Sequence, residues 1–207
     1  MFLALTEIRR AWGRFVLLAG SVALLVFLIL FQQALQDALI TAFVGGVRNQ
    51  TAPVVVFSVD GQRTLQASRI TPEQLEGVAA VDGVADAVPV TQGTFTVRVD
   101  GGEQSDASII GTGDGELFVP GELSGGRRPS APGEAVGSDV DFEVGDEVEV
   151  VAAAPEAESA TLTVVGVAPQ VQLNVTPTLF TDAETAAAAA LAVNPEAPAG
   201  IPNAVGV

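Results

Sequence analysis

Histidine, cysteine and tyrosine are missing from this 207-residue chain, and tryptophan and methionine occur once each. Lysine is missing as well, because all nine basic residues are arginine. Each absence closes off a chemistry. Without cysteine there is no disulfide framework and no thiolate metal site, although this says nothing about the compartment. Without histidine and lysine, Ser-His-Asp, Cys-His, Ser-Lys and Schiff-base mechanisms have no participants. Two carboxylates could still perform acid–base work as in glycosidases. Beyond residue 36, however, phenylalanine is the only aromatic type, so no indole is present to stack on a sugar. No enzyme is expected.

Positive charge is also scarce. Beyond residue 36, six arginines stand against 24 acids, a balance of −18, because only Glu7 of the 25 acids lies earlier. Such a segment repels phosphate backbones and anionic membrane faces, so nucleic acid is not an expected partner. The charge favours solubility and specifies no ligand. The length is ample for one core or two small lobes.

Against this background stands one long uncharged run. Phe15 to Gln36 carries no charge, and Arg9, Arg10 and Arg14 stand just before it. At about 1.5 Å per residue, positions 15–35 span roughly 31 Å as a helix, the thickness of a hydrocarbon core. The positive-inside rule puts the arginine-bearing end in the cytoplasm and everything after about residue 36 outside. A cleaved signal peptide is the alternative. Its apolar region is shorter, and it ends at a small-x-small site. Here the helical pattern continues instead, with Ala34, Ala38 and Ala42 beside Leu35, Leu39 and Phe43 in two adjacent stripes. The spacing predicts a helix that leaves the bilayer near Leu35 and runs about two turns further, until Gly45-Gly46 stops it.

Before the span, apolar residues at positions 1, 5, 8 and 12 have helical spacing, with Trp12 suited to the headgroup level. This predicts a short helix on the inner membrane surface over 1–14, the alternative being a frayed start of the crossing helix. Within the span, Ala19, Gly20 and Ala23, together with Ser21, form a small-residue patch where a second helix could approach.

The outer segment, 51–207, reads as an α+β fold. Val54 to Val59 is a β-branched run closed by Asp60-Gly61, predicting a buried strand. Thr71-Pro72-Glu73 starts a helix with Thr71 as N-cap, Val78 and Val81 on its apolar face and Gly83 at its end. Two strands are predicted over Val84 to Val90 and Thr94 to Val99, then a tight turn at Asp100-Gly101-Gly102. A short strand follows at 108–111. Gly121 to Pro132 is a loop with Arg127-Arg128. Glu134 to Ser138 leads on to further strands, at 147–151 where Val148 and Val150 alternate with Glu147 and Glu149, at 161–167 and at 178–180. Between two of these, 152–159 is an Ala/Pro/Glu turn. Asp182 caps an alanine-rich helix from Ala183 to about Ala192. The last residues approach another strand and break off at Val207.

The densest acidic group comprises Asp139, Asp141, Glu143, Asp146, Glu147 and Glu149. An EF-hand loop is not matched, since Gly145 stands at the seventh position and Val150 at the twelfth. Solvated strand edges and a Gly-Asp turn explain these acids better. Asn49-Gln50-Thr51 and Asn174-Val175-Thr176 match a glycosylation acceptor pattern frequent by chance, and no function is assigned to them.

In order and spacing these features resemble the N-terminal part of ABC-transporter permeases of the MacB/LolC/FtsX type. The residues carrying the resemblance are the arginine-bearing helix Leu5 to Arg14, the helix running on to Phe43, Ala52 to Val56, Ile70-Thr71-Pro72-Glu73, Val81 to Ala85 and Ile109-Ile110-Gly111. Pro132 to Gly137, Val144 to Val148 and Leu162 to Val167 complete them. The resemblance implies a first transmembrane helix over 15–35, a stalk extension and linker over 36–50, and a MacB-like periplasmic core over 51–207. The three later crossings of such permeases are not in this sequence, so it implies the N-terminal portion of one. It further implies a cytoplasmic ATPase subunit as partner, a second permease copy or related permease, and stalk packing through Leu35, Leu39 and Phe43. The chain has no Walker-type loop and no cofactor of its own, so ATP would be bound by the partner. The alternative is a single-pass anchored binding or scaffold protein whose acidic outer domain contacts envelope components. Lipid, lipoprotein, peptide or drug export and regulation of a wall hydrolase all remain open as its task.

Overall fold

The computed structural model describes residues 12–113, 117–152, 159–196 and 201–207. The chain divides into two units, Met1–Ile40 and Thr41–Val207. In the first, every described residue belongs to one helix, α1 (Trp12–Arg48), whose last turns belong to the second unit. Residues 12–40 are all exposed. Between Phe15 and Phe31 the one polar side chain is Ser21, whose hydroxyl donates to the Leu18 carbonyl at 2.9 Å and so finds its partner inside the helix. Phe27 and Phe31, one turn apart, stack at 6.1 Å. Among the described residues this is the helix long and apolar enough to cross a membrane. Expectations for residues 1–11 lie outside the described residues.

The glycine pair does not end α1. The helix continues through Gly45 and Gly46 to Arg48, and both glycines are buried. Their role is close approach, described below.

In the second unit, strands β1 (Val55–Val56), β2 (Val88–Val99), β3 (Gln104–Thr112), β4 (Gly125–Gly126), β5 (Glu134–Ser138), β6 (Glu147–Val150), β7 (Ala160–Ala168), β8 (Thr178–Asp182) and β9 (Ala204–Gly206) share one sheet. Helix α2 (Pro72–Ala79) lies between β1 and β2, and α3 (Ala183–Val193) follows β8 directly. Pairing runs β2–β3–β8–β5–β7–β6 and returns from β6 to β2, so six strands close into a barrel. Closure removes the free edges that an open sheet would expose.

The barrel interior is one cluster to which all six strands contribute, including Val97, Ile109, Leu179, Ala135, Leu162 and Val148, each no more than 1% exposed. Helix α3 adds Ala186 and Ala189 to it. Successive residues alternate sides, as the period of two requires. Ile110, Val136 and Phe180, next in sequence to interior residues, belong to a second cluster on the outer surface. That cluster is covered by Ala52, Leu65, Phe118, Val171 and Leu173. Burial of each Leu, Ile or Phe contributes about 1.5–3 kcal/mol, so both faces of the barrel wall stabilise the fold.

Several expected elements hold and others shift. Thr71 caps α2 in a full capping box with Gln74. Asp182 caps α3, accepting from the Thr185 N–H at 2.8 Å. The β2–β3 turn has φ of 49° at Asp100 and 70° at Gly101, and Gly102 N–H bonds to Val99 O at 2.8 Å, a type I′ hairpin turn. The tail's expected strand is β9, paired with β1 and β2. By contrast, the run 54–59 yields only the two-residue β1, half-buried at the sheet edge, and a 3₁₀ turn at Val59–Gly61. The two strands expected over 84–99 are one, because Thr91, Gln92, Gly93 and Thr94 all pair with β3, itself much longer than 108–111. Helix α2 stops at Ala79, before Gly83, and buries no residue fully; Val81 lies beyond it and is exposed. The expected turn over 152–159 falls largely outside the described residues.

Candidate functional site

The feature with most built into it is the exit of α1 into the barrel. Three turns of backbone meet there. Gly46 donates its N–H to the Gln172 carbonyl at 2.8 Å, Asn174 N–H bonds to Phe43 O at 3.1 Å and Val175 N–H to Ala42 O at 2.8 Å. The β7–β8 loop therefore lies along the side of the helix as a strand lies along its neighbour. Such proximity needs glycine. A Cβ at Gly46 would stand 2.8 Å from the Val171 carbonyl oxygen, and one at Gly45 would meet the Gln170 carbonyl closer still.

The residues after the helix are held on a second side. Asn49 Nδ2 donates to Gln170 O at 2.6 Å, and the Asn49 carbonyl accepts from Gly121 N–H at 2.9 Å. Thr51 N–H bonds to Val119 O at 2.9 Å, and Gln50 bridges to Pro120. The loop itself is anchored from behind. Asp141 accepts from Gln172 Nε2 at 2.7 Å and from Ser138 Oγ, and Leu173 N–H bonds to Thr178 Oγ1 at 2.9 Å. Val47, on the last turn of α1, packs into the outer cluster. Both glycosylation-like motifs thus lie in this joint, where Asn49 serves by its side-chain amide and Asn174 by its left-handed backbone, φ 53°.

The strongest charge pairing is elsewhere on the barrel. Arg127 holds Glu134 with both terminal nitrogens, Nη1 to Oε2 at 2.7 Å and Nη2 to Oε1, and Ser130 N–H adds a bond at 2.8 Å. The guanidinium first, and the Ser130 amide second, pull the Glu134 carboxyl down to about 2. Glu134 in turn raises the Arg127 guanidinium. This pair fastens the 125–132 loop to the start of β5.

The acidic group is dispersed into structural tasks. Asp139 accepts from Ser124 Oγ at 2.8 Å, Asp146 from the Glu143 N–H at 2.8 Å, and Glu149 faces Arg98 across β6 and β2 at 3.6 Å. Asp141 belongs to the joint. Among the described residues no three potential metal ligands converge.

The residues singled out in the sequence lie along α1 without converging. Arg9 and Arg10 lie outside the described residues. Trp12 and Arg14 are exposed on its first turn, Ala19, Gly20 and Ala23 are exposed further along, and nothing lies within 4 Å of a Cβ built at Gly20. Leu35, Leu39 and Phe43 are each about half exposed, at 49%, 48% and 48%. Sequence reasoning missed the joint's partners, Gln170 to Val175 with Asp141. Their contacts are backbone bonds, which no side-chain pattern announces; the one available signal was the glycine pair.

No family profile matches the sequence, and no curated protein does. Solved structures do. The chain matches the crystal structure of the periplasmic region of MacB from Actinobacillus actinomycetemcomitans at TM-score 0.51 and 14% identity, over 73% of this chain and 71% of that one. It also matches the extracellular domain of the noncanonic ABC-type transporter YknZ from Gram-positive bacteria at TM-score 0.45 and 16% identity, over 73% and 81%. At such identity the likeness is one of fold, and the strand-rich domain has the fold of the MacB periplasmic region.

Proposed function

We propose that this chain is the N-terminal portion of an ABC-transporter permease subunit of the MacB/LolC/FtsX type, with its N-terminus in the cytoplasm and residues after about 36 outside. The observation that carries the reading is the MacB-like fold standing directly after a single apolar helix of spanning length. In this reading the chain catalyses nothing itself. A cytoplasmic ATPase subunit binds and hydrolyses ATP, a second permease copy or related permease completes the membrane part, and this chain carries movement outward for export or envelope substrate handling.

The chemistry of the parts suits that task. Over Phe15 to Phe31 the helix offers lipid only apolar side chains and one hydroxyl bonded within the helix, so that stretch can shift in lipid without exposing an unpaired side-chain polar group. At the exit, bonds between main-chain groups tie helix and barrel, so displacement of the last turns reaches β7 and β8 without passing through flexible side chains. Leu35, Leu39 and Phe43, half exposed and one turn apart, offer an apolar stripe to a partner stalk.

Single cysteines at 35, 39 and 43, in membranes holding the chain with its ATPase, test this directly. Disulfide formation between copies is expected to change on ATP addition at one or more positions. No change at any of the three would favour the anchored scaffold instead.

A further inference from the structure

The loop that grips α1 is built on an ill-suited turn. Leu173 O accepts from Thr176 N–H at 3.0 Å, and the two central residues have φ of 53° at Asn174 and 63° at Val175. Both values are left-handed, the signature of a type I′ turn, for which Asn-Gly is the preferred pair. Asparagine fits its place. Valine stands where glycine belongs, and a β-branched residue is the least tolerant of that conformation.

No packing rewards the valine for staying there, since its side chain is 55% exposed. What holds it is its own N–H on Ala42 O at 2.8 Å, with Asn174 N–H on Phe43 O alongside. Strained residues persist only where their surroundings over-determine them. Here the determining groups are carbonyls of α1. The base of the loop is secured independently, through Leu173 N–H on Thr178 Oγ1 and Gln172 Nε2 on Asp141. Gln170, at the base, is left-handed too, with φ of 56°, and Gly46 N–H bonds to Gln172 there, but at the tip two adjacent left-handed residues set their strain directly against their own bonds to α1.

We propose that the tip of the β7–β8 loop is a releasable clasp on α1. Engaged, Asn174 and Val175 are left-handed and bonded to Phe43 and Ala42. Released, both relax to ordinary φ and the turn of α1 at Ala42 and Phe43 is let go, while Gly46 N–H keeps its bond to Gln172 O and the base of the loop stays in place. Net hydrogen-bond stabilisation and left-handed strain are of the same order, so a modest bias on the helix shifts the balance. Valine at 175 keeps the clasp openable. The inference stands on backbone geometry alone, and it holds for an anchored scaffold as well as for a permease.

Hydrogen exchange on the full chain in nanodiscs tests it. The amides of Asn174 and Val175 are expected to exchange faster than the core amide of Val164, reporting release below global unfolding. Val175→Gly and Val175→Asn, which remove the strain by different routes, are expected to slow the amides of residues 174 and 175 about tenfold and to leave Val164 unchanged. The proposal is overturned if the two amides exchange no faster than Val164 in the wild type. It is equally overturned if both variants leave them unchanged or faster.

Discussion

Gly46 points its N–H at the carbonyl of Gln172, 2.8 Å away. The contact joins the last turns of α1 to the loop between two barrel strands, and it leaves no room for a side chain. Gly46→Ala places a methyl group 2.8 Å from the Val171 carbonyl oxygen, against backbone that cannot rotate aside. Overpacking of this kind costs about 1–3 kcal/mol, and a domain of this size loses roughly 2–4 °C per kcal/mol. Thermal unfolding of the outer domain is expected to shift down by several degrees, while Gly20→Ala, with nothing nearby, leaves it in place.

The pairing of Arg127 with Glu134 makes stability depend on pH in a defined window. The Arg127 guanidinium, with the Ser130 amide behind it, holds the folded Glu134 carboxyl at about 2, well below the ordinary carboxylate range. A depressed carboxyl contributes stability that is full above the unfolded value and is lost as pH falls through the folded one. Urea midpoints are therefore expected to fall between pH 5 and pH 2. Glu134→Gln and Arg127→Gln should each flatten that part of the profile. An unaltered slope in both variants would show that other carboxylates set it.

Helix α3 depends on a single side chain at its start. Asp182 accepts from Thr185 N–H at 2.8 Å and from Thr185 Oγ1 at 2.6 Å, while Thr185 Oγ1 accepts from Gly133 N–H at 2.7 Å. Loss of the cap leaves the Thr185 N–H without its capping acceptor and takes away the carboxylate that orients the Thr185 hydroxyl toward Gly133. Asp182→Ala is expected to lower unfolding stability by about 1–2 kcal/mol, read from denaturant midpoints. The companion Asp139→Ala removes only an exposed bond to Ser124 and should cost less.

Caps, hairpin turn and alternating strands were legible because each rests on a local rule: Thr71 and Asp182 before their helices, Asp100-Gly101 in the turn, Val148 and Val150 on one face. What was not legible is long-range. Barrel closure depends on β6 meeting both β2 and β7, and no periodicity within Glu147 to Val150 says which strands lie beside it. Residues 84–87 look like strand yet stay outside the ladder, since β9, β3 and β6 together take up only 88–99 of that stretch. Gly45-Gly46 misled for a related reason: glycine signals either a helix stop or a close approach, and only the loop 125 residues further along decides which. The length and apolar character of α1 rest on composition and needed no tertiary information at all.

The membrane orientation proposed above is simple to test, because the chain has no cysteine of its own. Arg10→Cys sits on the arginine-bearing side of the span, and Gln62→Cys lies in an exposed turn after β1. The positive-inside rule weighs basic residues within about 15–20 positions of a span end. Arg9, Arg10 and Arg14 lie before it, whereas Arg48 alone lies within that reach after it, accompanied by Asp37. A membrane-impermeant maleimide applied to intact cells stripped of any outer barrier is therefore expected to label position 62 and spare position 10 until the membrane is opened. Labelling at 10 alone would invert the topology and put the acidic domain inside, where neither the stalk nor the external role proposed here could operate. Labelling at both before opening would mean that the apolar run does not span the bilayer, leaving α1 a surface or packing helix and removing the basis for a permease.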